Sequence, residues 1–340
     1  MKDFHGYSLL AYNTFGIEAS CGRFIEYETV DEARRLANIQ TGENTPFLIV
    51  GGGSNLLLTK DFDGIVVHSA IRGIEIADEE GDSIMLRCGS GEVWDDVVAF
   101  SVEHGMNGLE NLSVIPGEVG ASAVQNIGAY GKEAKDFICR VEAVEIASGD
   151  VVIFGSEDCG YAYRQSRFKH EWKDKYLITH VTYRLSKAAD YVPSYEYGNI
   201  RAELERRSIA APTPSELRRV ITDIRNAKLP DPKVVGNAGS FFMNPIVPKA
   251  KYEALAKDYP TMPHYTVDES HEKIPAGWMI EQCGWKGKSL GRAGVYEKQA
   301  LVLVNRGGAS GDEVVRLCRA IQQDVAAKFG IEIFPEVNII

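Results

Sequence analysis

Two glycine-rich segments are the first candidates for chemistry in this chain, because they could present backbone N–H groups to an anion. The first is Gly51-Gly52-Gly53-Ser54-Asn55, which directly follows the apolar run 47–50. Glycine tolerates positive φ and allows the backbone to approach a ligand closely, so successive N–H groups can point at one phosphate. A tight turn is the alternative interpretation of a single loop of this kind.

The second segment, 105–131, reads GMNGLENLSVIPGEVGASAVQNIGAYG. An interior glycine costs a helix about 1 kcal/mol, so this segment is not expected to pack as an ordinary helix. Small and amide side chains lie between its glycines, among them Ser122, Gln125 and Asn126. This combination indicates a chain that wraps around a bulky polar molecule, for which an extended nucleotide cofactor is suitable. An irregular loop is the alternative.

Neither of the common nucleotide motifs is complete. Leu56 occupies the position where the dinucleotide-binding G-x-G-x-x-G pattern needs its last glycine. Gln282 occupies the first glycine position of a P-loop that would end at Gly287-Lys288-Ser289. The six cysteines form no C-x-x-C pair. We therefore expect reduced thiols, with neither a disulfide framework nor a metal site.

Five motifs in a fixed order carry a specific resemblance. They are Asn13-Thr14-Phe15-Gly16, VGGGSN at 50–55, IPGEVGASAVQNIGAYG at 115–131, GNAGSFFMNP at 236–245 and PEV at 335–337. Together they resemble the UDP-N-acetylenolpyruvoylglucosamine reductase family over nearly the whole chain. The segment 187–212, which contains Tyr195-Glu196-Tyr197-Gly198, resembles the extra loop of the type I branch, in which the tyrosine at the position of Tyr197 folds over the substrate.

The resemblance implies both an activity and a fold. The activity is NADPH-dependent reduction of UDP-N-acetylglucosamine enolpyruvate to UDP-N-acetylmuramate through non-covalent FAD, in peptidoglycan precursor synthesis. The fold is α+β, with a two-part FAD-binding domain of the vanillyl-alcohol-oxidase (PCMH) type and a C-terminal α/β substrate domain. The expected parts are 1–72 and 73–229 for the two FAD-binding subdomains and 230–340 for the substrate domain.

Three residues match the catalytic positions of the family. Hydride addition to the enolpyruvyl β-carbon builds negative charge on the α-carbon and the carboxylate, so the site needs a cation and a proton donor. The resemblance implies that Arg164 stabilises the carboxylate and enolate, Ser240 donates the proton and Glu336 assists. Taken singly, these residues would be a surface arginine, a turn serine and a solvated glutamate.

The resemblance also implies the ligand-binding positions. The expected FAD-binding residues are Gly51, Gly52, Gly53, Ser54, Asn55, Leu56, Ser113, Pro116, Gly117, Gly120, Ala121, Gln125, Asn126, Gly128, Ala129, Tyr130 and Arg225. The expected substrate-binding residues are Tyr163, Tyr197, Lys228, Asn244 and Gln299. The chain departs from many relatives at Asn338, where they have arginine, and from some at Met243, where they have lysine.

The elements that must position these residues mix helices and strands without a strict βαβ alternation, which favours α+β over a doubly wound sheet. Helices are predicted at 31–40, 92–104, 213–228 and at a last segment that carries Val314, Leu317, Cys318, Ile321 and Val325 and stops at Gly330. Strands are predicted at 47–50, 143–146, 151–154, 176–185 and, less clearly, 191–197. The two prolines of Leu229-Pro230-Asp231-Pro232 indicate a domain boundary.

Composition narrows the class of partner. With 37 basic and 48 acidic residues the formal net charge is −11, which argues against a nucleic-acid partner. The longest apolar runs, such as 47–50 and 300–304, are strand-sized, and the amino terminus carries no secretory signal pattern. We therefore expect a cytoplasmic protein without a membrane span, acting as a monomer on a UDP-sugar.

Two other functions remain as alternatives. One is a different flavin oxidoreductase of the same fold, such as an oxidase of small alcohols. It predicts rapid reoxidation of the flavin by oxygen and no effect of the uridine nucleotide. The other is a non-catalytic protein that binds a nucleotide sugar or a flavin. It would be expected to have lost one of Arg164, Ser240 and Glu336, and the chain retains all three.

Overall fold

Two short N-terminal segments, 8–20 and 53–62, belong to the same compact unit as residues 228–340. The other unit comprises residues 1–7, 21–52 and 63–227. The structure is a computed structural model and describes residues 1–37 and 45–340. The functional division into 1–72, 73–229 and 230–340 stays a prediction.

The described residues form strands and short helices in an irregular order. The strands are β1 (Lys2–Ser8), β2 (Ser20–Tyr27), β3 (Phe47–Val50), β4 (Leu56–Leu57), β5 (Phe62–Ser69), β6 (Ile74–Glu80), β7 (Ser83–Gly89), β8 (Gly128–Ala129), β9 (Lys132–Glu133), β10 (Ile138–Glu145), β11 (Val151–Gly155), β12 (Tyr176–Ser186), β13 (Asn237–Ser240), β14 (Ile246–Pro248), β15 (Tyr265–Thr266), β16 (His271–Lys273), β17 (Ser289–Leu290), β18 (Ala293–Val295), β19 (Val302–Asn305) and β20 (Asn338–Ile339). The α-helices are α1 (Val30–Ala37), α2 (Trp94–Glu103), α3 (Val119–Gln125), α4 (Ile200–Arg206), α5 (Pro214–Lys228), α6 (Lys249–Ala256), α7 (Ala276–Gln282) and α8 (Gly311–Phe329).

The first unit contains two main sheets. One has the strand order β1-β2-β5-β3, with β3 and β5 parallel. The other is antiparallel throughout and has the order β11-β10-β12-β7-β6. Helix α1 packs on β10 and β12, and Ala33 shares a buried cluster with Val67 and Val144. Helices α2 and α3 cover the antiparallel sheet through the fully buried Trp94 of α2 and through Val119 and Ala123 of α3.

The second unit is organised around helix α8. Its buried stripe, which includes Val314, Leu317 and Ile321, belongs to one core with Phe15, Phe241 and other residues. The sheets of this unit are β13-β19-β18-β17, β14-β16-β15 and the parallel pair β20-β4. Burial of this apolar stripe accounts for the stability of α8, because helices in proteins gain most of their stability from tertiary packing.

Capping chemistry explains why two helices lie where the sequence predicts them. Before α5, Thr213 Oγ1 accepts from the N–H of Glu216 at 3.2 Å, and the Glu216 carboxylate accepts from the N–H of Thr213 at 2.9 Å. Such a reciprocal capping box satisfies two of the free N–H groups at a helix start. Helix α8 ends at Gly330, whose φ of 59° is the left-handed conformation that glycine tolerates. Both predicted helices are confirmed.

Other predicted elements are confirmed with small shifts. The helix predicted at 92–104 is α2, and the predicted strands at 47–50, 143–146, 151–154 and 176–185 correspond to β3, β10, β11 and β12. The helix predicted at 31–40 is present as α1, and the remaining part of that prediction lies outside the described residues. Across residues 1–37 and 45–340, no helix combines the length and apolarity needed to cross a bilayer.

Two predictions about local structure are wrong. Residues 191–197 form no strand, since Pro193 lacks a donor and the Ser194 carbonyl is bonded by the Asn111 amide at 2.8 Å rather than by a neighbouring strand. The glycine-rich segment does form an ordinary helix over part of its length, namely α3. Gly120 lies in the first turn of α3, and a methyl group there would lie 3.1 Å from Ser90 Cβ, so its glycine permits close packing.

Candidate active site

The beginning of the first glycine loop packs on the start of helix α3 within the first unit. A methyl group placed on Gly51 would lie 3.1 Å from Glu118 Oε2 and 3.5 Å from Ala121 Cβ. A methyl group on Gly52 would lie 3.8 Å from the Cα of Gly117. The two glycine-rich segments predicted to bind a cofactor are therefore adjacent here, and larger side chains at Gly51 would disturb that contact.

The second half of the same loop belongs to the other unit, where its residues make specific backbone contacts. Gly53 has φ +66°, and a methyl group on it would lie 1.9 Å from the carbonyl oxygen of Tyr12, so only glycine fits. Ser54 and Asn55 follow, and the Asn55 carbonyl accepts from the side-chain amide of Asn338 at 3.1 Å. Leu56 is buried and pairs with Asn338 in β4 and β20.

The Asn13-Thr14-Phe15-Gly16 motif has a structural explanation in the second unit. Thr14 donates its hydroxyl to the Asn237 carbonyl at 2.6 Å and accepts the Asn237 N–H at 2.9 Å through its own carbonyl. A methyl group on Gly236 would lie 2.2 Å from the carbonyl oxygen of Phe15. Two motifs that are far apart in sequence are thus one packed contact beside β13, the strand that carries Ser240.

Val114 introduces backbone strain into the second glycine-rich segment. It has φ 59°, an unusual conformation for a β-branched residue. The Val114 N–H donates to Asp95 Oδ1 at 2.6 Å, and Arg218 donates to the same carboxylate at 2.8 Å. Ser113, which precedes it, is buried and donates to the Glu110 carbonyl at 2.6 Å. Strain held by surrounding bonds is a feature of functional sites.

Several predicted FAD-binding residues lie together between 113 and 131. Pro116 is exposed, and Gly117, with φ 122°, adopts a conformation that only glycine tolerates well. Ala129 pairs with Lys132 in the β8–β9 hairpin. The Gln125 side-chain oxygen accepts from Lys169 Nζ at 3.0 Å.

The Asn126 side chain is used within the protein. It is fully buried and has φ 45°. Its amide donates to Glu133 Oε2 at 3.0 Å and to the Ala162 carbonyl at 2.8 Å, while its oxygen accepts from the N–H of Lys135 at 3.0 Å. These bonds account for the whole side-chain amide, so the contacts favour a role in shaping the loop.

Arg225 provides a buried positive charge next to this segment. It donates to the Val114 carbonyl at 3.3 Å and interacts with the Tyr130 hydroxyl. Its Nε is buried and has no hydrogen-bond partner among the described residues. Burial lowers the pKa of Arg225, although the nearby Tyr130 and Asp95 oppose this effect. Burial also raises the pKa of Tyr130. A buried guanidinium with an unused donor fits an anionic ligand.

Arg164 is held close to the same segment. One guanidinium nitrogen donates to the Gly128 carbonyl at 2.8 Å, and the charged group lies 5.6 Å from the centre of the Tyr163 ring. Arg164 has φ 56°, so its backbone conformation is also unusual. Lys169 Nζ donates to the Arg164 carbonyl at 2.9 Å. The guanidinium therefore has a defined position and retains a planar group suited to a carboxylate.

The Tyr197 side chain packs over Gly131. A methyl group on Gly131 would lie 3.4 Å from Tyr197 Cβ. Two hydrogen bonds hold the segment that leads to Tyr197. The Tyr191 hydroxyl donates to the Glu110 carboxylate at 2.5 Å, and the Asn111 amide donates to the Ser194 carbonyl at 2.8 Å. Helix α4, which the sequence analysis did not predict, follows directly within 187–212. The structure thus brings Tyr197, Gly131 and the glycine-rich segment together in the first unit.

Ser240 and Glu336 lie on neighbouring backbone segments of the second unit. The Glu336 N–H donates to the carbonyl of Phe241, the residue after Ser240, at 2.8 Å. Ser240 is exposed and Glu336 is half-buried. The Asn55 amide donates to the Glu336 carbonyl at 3.4 Å. Ser240 and Glu336, which were predicted from separate motifs, therefore lie on hydrogen-bonded backbone segments.

Three more predicted substrate-binding residues have described positions in the second unit. Asn244 accepts the N–H of Ala276 through its side-chain oxygen at 2.9 Å. Gln299 accepts the N–H of Leu301 through its side chain at 3.3 Å. Leu301 in turn accepts the N–H of Phe241 at 2.8 Å. Lys228 is exposed and is the last residue of α5.

Sequence reasoning missed two features of the site. One is the cluster of Glu26, His68 and Glu118, in which His68 lies between the two carboxylates. The other is the set of non-glycine residues with positive φ, which includes Val114, Tyr130 and Arg164. The acidic Glu118 within an otherwise apolar and glycine-rich stretch was the available signal for the first. Nothing in the sequence indicates the second.

Comparison with known proteins connects these features to a family. Residues 231–340 match the family described as UDP-N-acetylenolpyruvoylglucosamine reductase, C-terminal domain, and residues 22–155 match the FAD binding domain family. A protein of Bacteroides fragilis named UDP-N-acetylenolpyruvoylglucosamine reductase is 55% identical over 335 residues, covering 98% of this chain and 99% of the relative. The chain belongs to the UDP-N-acetylenolpyruvoylglucosamine reductase family.

A second relative carries the same name, and two solved structures share the fold. A Porphyromonas gingivalis protein of the same name is 47% identical and covers 98% of both chains. The crystal structure of UDP-N-acetylenolpyruvylglucosamine reductase from Thermus caldophilus has a TM-score of 0.67 at 21% identity, covering 99% of this chain and 98% of that one. The crystal structure of 6-hydroxy-D-nicotine oxidase from Arthrobacter nicotinovorans has a TM-score of 0.54 at 14% identity, with 97% and 86% covered.

Membership in this reductase family settles the class of protein. The chain is an oxidoreductase with an FAD-binding domain and a reductase C-terminal domain. Its fold is the predicted α+β type, shared with the Thermus caldophilus reductase and with 6-hydroxy-D-nicotine oxidase. FAD is its cofactor, and the buried guanidinium of Arg225 with its unused Nε donor fits such an anionic dinucleotide.

Proposed function

We propose that this enzyme reduces UDP-N-acetylglucosamine enolpyruvate to UDP-N-acetylmuramate with NADPH as the hydride donor, in peptidoglycan precursor synthesis. The observation that carries this proposal is the 55% identity over 98% of the chain to a reductase named for that substrate, with Arg164, Ser240 and Glu336 all present. The common backbone ladder of Ser240 and Glu336 supports it further.

The residues proposed to hold FAD are those of the two glycine-rich segments together with Arg225. When bound, FAD would accept a hydride from NADPH and pass it to the enolpyruvyl β-carbon. The backbone N–H groups around Gly51 and Gly117 are suited to phosphate oxygens, because glycine leaves them accessible. Arg225 is suited to a further negatively charged or carbonyl oxygen, since its Nε is buried and has no partner among the described residues.

Arg164 is proposed to bind the substrate carboxylate. Its guanidinium can form two parallel hydrogen bonds to a carboxylate and stabilise the negative charge that develops on it during reduction. The bond to the Gly128 carbonyl, at 2.8 Å, supports this role because it orients the group without neutralising its charge. The Tyr163 ring lies against the same guanidinium and is proposed to contribute to substrate binding.

Ser240 is proposed to donate a proton to the α-carbon, and Glu336 to assist. A serine hydroxyl is a weak acid, so it needs a neighbour that stabilises its charge or relays a proton. The backbone bond between Glu336 and Phe241 supports the pairing of these two residues, because it keeps their segments in fixed register. Exposure of Ser240 leaves its hydroxyl open to a substrate.

The remaining binding positions are proposed for the sugar and the diphosphate. Lys228, at the end of α5, supplies a positive charge suited to a diphosphate oxygen. Asn244 and Gln299 supply amide groups beside the strand of Ser240, and Tyr197 supplies an aromatic ring over Gly131. Residues 1–72 and 73–229 are proposed as the two FAD-binding subdomains and 230–340 as the substrate domain.

Product analysis tests the proposed reaction. The purified protein is incubated with FAD, NADPH and UDP-N-acetylglucosamine enolpyruvate, and the nucleotide products are separated and weighed by mass spectrometry. The expected product is heavier than the substrate by two hydrogen atoms and is formed in equal amount to the NADPH consumed. NADPH oxidation that is independent of the UDP-sugar, with oxygen consumed instead, would contradict the proposed substrate.

A further inference from the structure

A buried charge cluster lies beside the Gly51–Gly52 loop and has no part in the roles assigned so far. His68 Nδ1 is 2.9 Å from Glu26 Oε2, and His68 Nε2 is 3.1 Å from Glu118 Oε1. The three side chains are only 6%, 10% and 12% exposed, in the order His68, Glu26 and Glu118. Glu26 and His68 are on the adjacent strands β2 and β5, and Glu118 immediately precedes α3.

The geometry favours a positively charged imidazole. A neutral imidazole donates from one nitrogen only, whereas both nitrogens of His68 face carboxylate oxygens, which accept hydrogen bonds. Burial by itself lowers the pKa of His68, but the hydrogen bonds and charges of Glu118 and Glu26 outweigh this effect, and the pKa is raised. On the other side, Lys2 Nζ lies 2.6 Å from Glu26 Oε1. Lys2 Nζ also lies 3.2 Å from Glu28 Oε1, so Lys2 is shared between two carboxylates, and His68 is a cation in direct contact with Glu118.

Glu118 connects this cluster to the cofactor loop. Its Oε2 lies 3.1 Å and its Oε1 3.7 Å from methyl groups placed on Gly51 and Gly52 respectively. Glu118 is the N-cap residue of α3, yet its side chain forms no cap hydrogen bond and is directed at His68 instead. A carboxylate at this position, if uncompensated, would repel a diphosphate bound by the same loop.

We propose that His68 is a positioning residue for FAD: its positive charge compensates Glu118 behind the Gly51–Gly52 loop, so that this loop can hold a negatively charged diphosphate. The inference rests on the proposed assignment of the loop to FAD. Among the described residues, no group of three or more His, Cys, Asp or Glu side chains could hold a metal ion.

FAD affinity in matched variants tests this role without reference to turnover. FAD is removed from the purified protein, and the dissociation constant is measured by the quenching of flavin fluorescence. The variants are His68→Gln, Glu118→Gln and the double variant. His180→Gln is the control, because His180 is also a poorly exposed histidine of the first unit, 3.8 Å from Glu142, and lies outside the proposed site.

Charge compensation by His68 predicts a different FAD affinity for each variant. His68→Gln weakens FAD binding about tenfold or more, because one carboxylate loses its compensating charge. Glu118→Gln binds FAD at least as tightly as the wild-type protein. The double variant regains an affinity within about threefold of wild type, and His180→Gln behaves as wild type.

Other patterns would overturn the proposal. Equal losses of affinity in His68→Gln and in the double variant would mean that His68 has only a structural role. An unchanged affinity in His68→Gln would also overturn it. Failure of the wild-type protein itself to bind FAD would instead contradict the assignment of the loop to FAD. That result differs from both of the patterns described above.

A pH series provides a second test that does not depend on the folding of His68→Gln. The titratable groups facing His68 are Glu26 from β2, with Lys2 from β1 behind it, and Glu118, which also interacts with Tyr27. Burial raises the pKa of Tyr27, so it stays neutral. As the pH rises above the ordinary histidine pKa of about 6.5 and through the raised pKa of His68, FAD binding to the wild-type protein should weaken, and binding to Glu118→Gln should change less. Parallel pH profiles would overturn the proposal.

Discussion

Glu336 donates its backbone N–H to the carbonyl of Phe241 at 2.8 Å, and Phe241 directly follows Ser240. The N–H of Met243 donates to the carbonyl of Phe334 at 3.0 Å, so the two segments are hydrogen-bonded on both sides of the Phe242–Pro335 bridge. The roles proposed for Ser240 and Glu336 need such a connection, because catalytic groups must be held close to their productive geometry.

Substitution of Ser240 should separate the two halves of the reaction. In Ser240→Ala, reduction of the flavin by NADPH is expected to proceed at the wild-type rate, while its reoxidation by the enolpyruvyl substrate slows by about 10² to 10⁴, the usual contribution of a general acid. Anaerobic stopped-flow absorbance measures both steps. Ser148→Ala is the control, since Ser148 is an exposed turn residue. Reoxidation at the wild-type rate would disprove the assignment of Ser240.

Arg164 should be required for its geometry as well as its charge. Arg164→Lys keeps a cation but loses the planar group that can bind a carboxylate through two hydrogen bonds. We expect kcat/KM for the UDP-sugar to fall about 100-fold, with little effect on flavin reduction by NADPH. Arg167→Lys is the matched control, because Arg167 is exposed and pairs with Glu171. Equal effects of the two substitutions would contradict a direct role for Arg164.

Asp95 should stabilise the strained backbone at Val114. Its carboxylate accepts from the Val114 N–H at 2.6 Å and from Arg218 at 2.8 Å. Asp95→Ala is expected to lower the free energy of unfolding by about 1–3 kcal/mol and to weaken FAD binding. Asp96→Ala, at the exposed neighbouring position, is expected to do neither. Urea denaturation measures the free energy of unfolding, and flavin fluorescence measures FAD binding. Equal effects of the two substitutions would contradict a stabilising role for Asp95.

The stability of the FAD-free protein should depend on His68 in a pH-dependent way. The pKa of His68 is raised in the folded protein, against an ordinary value of about 6.5 in the unfolded chain. Its contribution is therefore fully present below the unfolded pKa and is lost as the pH rises through the folded pKa. The wild-type protein should exceed His68→Gln in free energy of unfolding by more at about pH 6 than at about pH 9. A constant or growing difference would contradict this account.

Local chemistry made part of the fold predictable. Thr213 and Gly330 mark helix ends through bonds and backbone angles that depend on nearby residues alone, and the predictions there are confirmed. Residues 191–197 were misassigned because an extended, partly apolar stretch is a strand only when a partner strand is available. Here the partners are Glu110 and Asn111, whose positions depend on the tertiary fold.

The candidate site was likewise only partly predictable from the sequence. The glycine loops could be recognised because glycine is needed wherever the backbone approaches closely, as at Gly53 against Tyr12. The cluster of Glu26, His68 and Glu118 joins three distant parts of the chain, and its existence depends on the pairing of β2 with β5. No local pattern specifies that pairing, and the left-handed backbone of Val114 is likewise imposed by tertiary bonds to Asp95.

The proposed reaction is hydride transfer from NADPH through FAD to a UDP-sugar enolpyruvate. The most direct measurement is the visible absorption spectrum of the FAD-loaded protein under anaerobic conditions, first with NADPH and then with UDP-N-acetylglucosamine enolpyruvate. We expect NADPH to bleach the flavin absorption and the UDP-sugar to restore it in the absence of oxygen. A flavin that recovers its absorption only when air is admitted would contradict the UDP-sugar enolpyruvate as the hydride acceptor.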